Sequence, residues 1–330
     1  MSKKIDRRRA LLWEPGVGPD TDALHRLEKH FRMPARPMGE AWFMGERRLY
    51  TDLLDKDSER WPTGEIGGAV KSLASGPGCF GLRQEWTDWL HFLVPRLLAR
   101  CDDWRWADIY ESLVTAFMAQ YPDELAEYPY KGFLDDTLAT LGRVPMAAAN
   151  WKDGQIAGCG VVQPIEITRN GPFLSCGGSF SAALFLHLKY LDEEQVARWI
   201  ASVLAIKDPI WRIKTVMWVA QSKPLLLEVG KQPLDLKYEP DWGSGWHDCW
   251  CLHGSNPAPN VDPSQVVLPF LGVRRQGIFR SELQQRLSQA SLESLDAEIA
   301  EMEQAVPEMY GIREMLDLAS REIIRDYLLG

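Results

Sequence analysis

Residues 192–222 constrain the fold most, because they read as two apolar helices meeting at a tight Asp208-Pro209 corner. Asp192 can cap a helix start, and Gln195 three positions later completes a capping box. Val196, Trp199, Ile200, Val203 and Leu204 follow at steps of three and four, so they share one helical face. Asp208 supplies a second capping carboxylate, and Pro209 loses nothing at a first helical position, where the amide has no partner anyway. Ile210, Ile213, Val216, Met217 and Ala220 carry the stripe onward until Pro224, with Arg212 and Lys214 falling between stripe residues.

An Asp-Pro-x-Trp-Arg opening on the second helix of such a pair resembles a HEAT-type α-repeat. An earlier stretch, 82–120, echoes it in part: a helical run from Leu82 to Arg100 is followed by Asp102-Asp103-Trp104-Arg105 and a second run carrying Ile109, Leu113, Val114 and Phe117. The two Trp-Arg copies lie much further apart than the period of about 40 to 47 residues that such arrays show. The resemblance therefore implies a helical stack more than a regular array. The expected fold class is mainly α, with stacked antiparallel helical hairpins (α-solenoid-like), a long irregular loop and a few short strands.

The Gly- and Val-rich texture of Gln155 to Pro172 divides the chain into a helical half at 1–150 and a second half at 151–330. Val161, Val162, Ile165 and Ile167 suggest a short strand pair there. Further helices are expected at 20–31, 41–54, 64–73, 104–120, 133–141 and 179–190. Pro95 should kink or restart the helix after Leu82, and the cluster Gly76-Pro77-Gly78-Cys79-Phe80-Gly81 reads as a turn. It lacks the lysine and hydroxyl spacing of a phosphate-binding loop. Helical periodicity vanishes over 231–280, where six prolines stand among Trp242, Trp246 and Trp250. So many aromatics point to an ordered loop, with a short strand at 266–273. Ser281 and Gln284 then suggest a capping box for a terminal helical hairpin, 281–330. Its stripe runs Leu292, Leu295, Ile299, Met302, Val306, then Met309, Ile312, Leu316, Ile323 and Tyr327.

Charge narrows the partners. The net charge of −9 argues against nucleic acid, which is bound by neutralising phosphates. No apolar run has the length of a membrane span. The basic start (Lys3, Lys4, Arg7, Arg8, Arg9) is followed by too short an apolar stretch for an export signal and reads as a solvated tail. Six cysteines in 330 residues suit reduced, cytoplasmic usage. Residues 291–330 hold ten acidic and three basic side chains, the most acidic surface available.

Three sets of residues stand out for chemistry. His247, Cys249, Cys251 and His253 are ligand types that zinc accepts. On an extended strand, however, alternate residues are about 6.6 Å apart and the outer two about 20 Å apart, too far for one tetrahedral ion. Buried cysteines and hydrogen-bonded histidines are the preferred reading, and no cofactor is expected, zinc being the competing alternative. Cys176, at a helix start before Gly177-Gly178-Ser179, is the best thiol nucleophile, since a helix N-terminus lowers a thiol's pKa. A small residue in a packed turn is the preferred reading of Cys176. Paired acids such as Asp102/Asp103, Asp135/Asp136 and Glu193/Glu194 are explained by capping and helix dipoles.

The functional expectation is a non-enzymatic scaffold that binds a basic protein, of the kind an immunity-type inhibitor neutralises. Its contacts would be Trp242, Trp246 and Trp250 together with Glu298, Glu301 and Asp317, lying exposed near one another. The competing expectation is a thiol- or metal-dependent enzyme centred in the 231–280 loop.

Overall fold

The computed structural model describes residues 11–40, 46–55, 57–79, 83–99, 106–122, 127–157, 160–162, 166–168, 171–228, 232–236, 243–252, 269–305 and 312–329. The protein is mainly α-helical, with its helices packed against one another. The first five are α1 (Thr21–His30), α2 (Thr63–Cys79), α3 (Arg83–Leu98), α4 (Trp106–Gln120) and α5 (Phe133–Thr140). A middle set comprises α6 (Gly178–Tyr190), α7 (Glu193–Ala205), α8 (Pro209–Gln221) and the short α9 (Lys223–Leu226). The last three are α10 (Val273–Arg286), α11 (Gln289–Ala305) and α12 (Ile312–Ile323).

The corner at 192–222 forms as its residues dictate. The Asp192 side chain accepts from the Gln195 amide at 2.8 Å, and the Gln195 side chain accepts from the Asp192 amide at 3.0 Å. Asp208 accepts from the Trp211 amide at 2.7 Å, with Pro209 in the first turn of α8. Val196, Trp199, Ile200 and Val203 of α7 are buried. The closest packing of these two helices is with partners from the end of the chain: α7 lies along α10 and α8 along α12.

Local signals are overridden in four places. The Gly76-Pro77-Gly78 cluster is not a turn; α2 continues to Cys79 and packs along α4. A Cβ at Gly76 would stand 2.5 Å from Cε3 of Trp86, so the missing side chain makes room for a buried indole. Over 46–54, within the expected 41–54 helix, Arg48 bridges Gly39, and only Thr51–Leu54 form a 3₁₀ turn. Ser281 lies inside α10, which Gly272 opens, so no helix begins there. Helix α3 runs through Pro95 to Leu98 without the restart expected there. In each case long-range packing outweighs a local preference of about 1 kcal/mol, or about 3 for an interior proline.

Two antiparallel ribbons interrupt the helices. Trp151–Lys152 (β1) pairs with Gln155–Ile156 (β2), and Glu166–Thr168 (β3) with Gly171–Phe173 (β4), Ile167 standing opposite Pro172. Val161 and Val162, expected in a strand, are buried in a turn instead. Ile165 and residues 266–268 lie outside the described residues, and Val273 opens α10 rather than closing a strand.

One contiguous core extends from Leu11 to Tyr327. The stretches 1–150 and 151–330 meet in it, with α4 packed along α6. Of the terminal stripe, Leu292 and Leu295 of α11, Leu316 and Ile323 of α12, and Tyr327 just beyond it are buried, and α12 packs against α8 and α11. No helix among the described residues is long and apolar enough to cross a membrane.

Candidate functional site

The middle of α4 interrupts an apolar run with Glu111, Ser112 and Thr115, all buried. These three polar groups hold the segment 243–252 onto the helices. Glu111 Oε1 accepts from the His247 amide at 2.6 Å, and Thr115 Oγ1 accepts from the Trp246 indole at 3.0 Å. Ser112 Oγ donates to Asp248 Oδ2. On the other side, the Gly178 amide at the start of α6 donates to Gly245 O at 2.9 Å. A 3₁₀ turn, Cys249–Leu252, then closes with Cys249 N donating to Trp246 O at 3.1 Å and Cys251 N to Asp248 O at 3.0 Å.

This close approach depends on Gly177. A Cβ there would meet Gly245 O at 2.5 Å and Gly243 O at 2.6 Å, two backbone oxygens with little room to yield. Gly177→Ala is expected to lift the segment off α6 and cost about 1–3 kcal/mol, as over-packing usually does. Hydrogen exchange at 243–252 should accelerate along with the lower melting temperature. Gly277→Ala, in α10 with nothing within 4 Å of a new Cβ, is the opposite case and should stabilise by about 0.5–1 kcal/mol. Equal effects at the two glycines would contradict the packing described.

Among the described residues of the site, Ser112 is not paired with an imidazole base. Asp248 stands between Ser112 and His247, its Oδ1 lying 3.0 Å from His247 Nδ1. The serine proton is thus directed at the carboxylate rather than at the imidazole that would have to remove it. Cys176 is fully buried, and burial pushes its thiol up to about 12, outweighing the lowering effect of Lys214. Cys176 is therefore not the activated thiol expected at a helix start, because desolvation of its thiolate outweighs the helix terminus. Burial likewise pushes Cys249 up to about 11. His187 accepts from the Trp13 indole in the core.

Of the proposed zinc ligands, His247 is largely exposed, Cys249 is buried and Cys251 is half-buried. His253 lies outside the described residues. Among the described residues no three His, Cys, Asp or Glu side chains are grouped to hold a metal ion.

The expected partner-binding residues differ in burial and pairing. Trp246 is not a surface anchor: its indole is fully buried, bonded to Thr115 and packed 5.7 Å from Phe185. Trp250, four residues on, is 43% exposed, and its turn packs on the 3₁₀ turn Pro233–Asp235, whose Leu234 is 47% exposed. Trp242 lies outside the described residues, and Glu301 falls within α11. Glu298 grips Arg212 at 2.6 and 2.8 Å, and Asp317 holds Arg321 one turn along α12. The acidic count of 291–330 thus overstates the field, since Asp326 is also paired with Lys223 and Arg325. Glu111 and Ser112 went unread in the sequence; their signal was polar residues interrupting an apolar helical run.

Compared with known protein families, curated proteins and solved structures, the chain matches none.

Proposed function

We propose that this protein is a non-enzymatic helical scaffold that binds a basic protein in the cytoplasm, in the manner of an immunity-type inhibitor that neutralises a toxin. The observation that carries the reading is Trp250. Its indole is 43% exposed on a turn whose base is held to α4 and α6 by hydrogen bonds and buried rings, and the exposed Leu234 turn lies against it. A large aromatic side chain on an already ordered backbone loses little entropy on binding, and such residues dominate interface energetics. The net charge of −9 favours a basic partner and speeds its approach. A HEAT-like stacking of the helices would offer such a partner an extended face.

Trp250→Ala should weaken capture of the partner by about 2 kcal/mol, roughly thirtyfold, while costing only about 1 kcal/mol of stability. The measurement is binding of a partner recovered from native extract and identified by mass spectrometry. A partner held equally well by the variant, or one that is itself acidic, would remove this reading.

A further inference from the structure

A recess of about 420 Å³ opens where the α7–α8 corner meets the joint between α10 and α11. Its volume falls within the range of about 300–1,000 Å³ typical of small-molecule sites. Val203, Leu204, Val216 and Leu295 supply apolar wall, and among the described residues Arg212 and Arg286 are the charged ones lining it, with no carboxylate. The two arginines come from different helices, α8 and α10. Each is anchored from outside the recess. Arg212 Nη1 binds Glu298, and Arg286 Nε binds Glu282 at 2.9 Å. A guanidinium has five N–H donors, so both forks keep donors for a second acceptor after that anchoring.

We propose that this recess binds a small apolar molecule bearing one anionic head, a carboxylate or a phosphate monoester. The head is taken by Arg212 and Arg286, and the apolar body lies against the walls of α7, α8 and α11. Charge complementarity selects the head, because two guanidiniums with donors to spare line the recess while the carboxylates that anchor them, Glu298 and Glu282, do not. The apolar walls select the body, because hydration alone would favour leaving a bare anion in water. A ligand seated there would tie α8 to the α10–α11 joint.

Isothermal titration of the full chain with decanoate, decyl phosphate, decanol and acetate, all below their micelle concentrations, tests the assignment. One of the two decyl anions should bind at least about tenfold more tightly than decanol, the step expected for a charged hydrogen bond, and acetate should not bind measurably. Whether decanoate or decyl phosphate binds more tightly identifies the head group. Arg286→Gln should remove about tenfold from the decyl anion and leave decanol unchanged, and Arg212→Gln should do the same. Ala201→Phe, which fills part of the recess, should abolish binding of all decyl compounds. Equal affinity for decanol and both anions, unchanged anion binding in Arg286→Gln, or unchanged binding in Ala201→Phe would each overturn the proposal.

Discussion

Replacing Trp246 with alanine is expected to destabilise the protein by about 3–5 kcal/mol, the cost of emptying a large aromatic site in a packed core. The indole is fully buried, packs against Phe185 and donates to Thr115 at 3.0 Å. Removing it opens a cavity between α4, α6 and the 243–252 segment and leaves the Thr115 hydroxyl without that donor. Trp246→Phe keeps most of the ring but loses the N–H, so about 1 kcal/mol should go with the hydrogen bond, plus a smaller packing term. Trp250→Ala should cost less than Trp246→Ala, about 1 kcal/mol, because its indole is 43% exposed. Urea unfolding of the three variants measures these values. A mild effect at Trp246, equal to that at Trp250, would mean that the segment is not docked as described.

Acidification from pH 7 to pH 5 is expected to cost about 4 kcal/mol of stability, from two buried histidines. His187 is enclosed by Trp199, stacked at 5.2 Å, and by Trp13 at 5.0 Å. Its Nε2 accepts from the Trp13 indole at 3.2 Å and its Nδ1 lies 3.3 Å from Ala183 O. Those contacts suit a neutral ring with its proton on Nδ1, and a second proton would face the indole N–H. Burial therefore pushes His187 down to about 3, and the Arg143 charge adds to the effect. His91, stacked on Phe31 at 4.3 Å and bonded to the Tyr121 hydroxyl at 2.5 Å, is pushed down to about 4 by burial and by His30.

The sign follows from proton counting. Below about pH 6.5 the unfolded chain protonates both rings, whereas the folded protein protonates His91 only near 4 and His187 only near 3. Protons thus favour the unfolded state, and the stability present above pH 6.5 drains away as the pH falls toward those values. At pH 5 the loss is about 2 kcal/mol for each ring, a large share of a typical total of about 5–15 kcal/mol. His91→Gln should reduce the dependence of stability on pH between 6.5 and 5 by about 1 kcal/mol per pH unit. A protein whose melting midpoint in urea is the same at pH 7 and pH 5 would contradict this account.

What was legible in the sequence had short range. The Asp192–Gln195 box and the Asp208-Pro209 start need partners only three residues away, and both form as expected. Amphipathic stripes were equally readable, because the helical period alone decides that Leu292, Leu295, Leu316 and Ile323 share buried faces. The glycine-proline cluster at 76–81 misled for the converse reason. Its local preference for a turn is small beside the contacts α2 gains along α4.

The candidate site was harder to see because its partners are remote. Trp246 reaches Thr115 across 131 positions, and Asp248 reaches Ser112 across 136. Without a period in that loop, nothing local distinguishes the buried Trp246 from the exposed Trp250.

By itself the amino-acid order determined that this chain is mainly helical, where its central helices are capped and which faces they hide. Tertiary structure alone decided that α7 meets α10, that α8 meets α12, and which tryptophan of the loop reaches solvent. The reason is physical: a cap or a stripe is satisfied within a few residues, whereas burial in an irregular segment depends on surfaces brought from more than a hundred residues away.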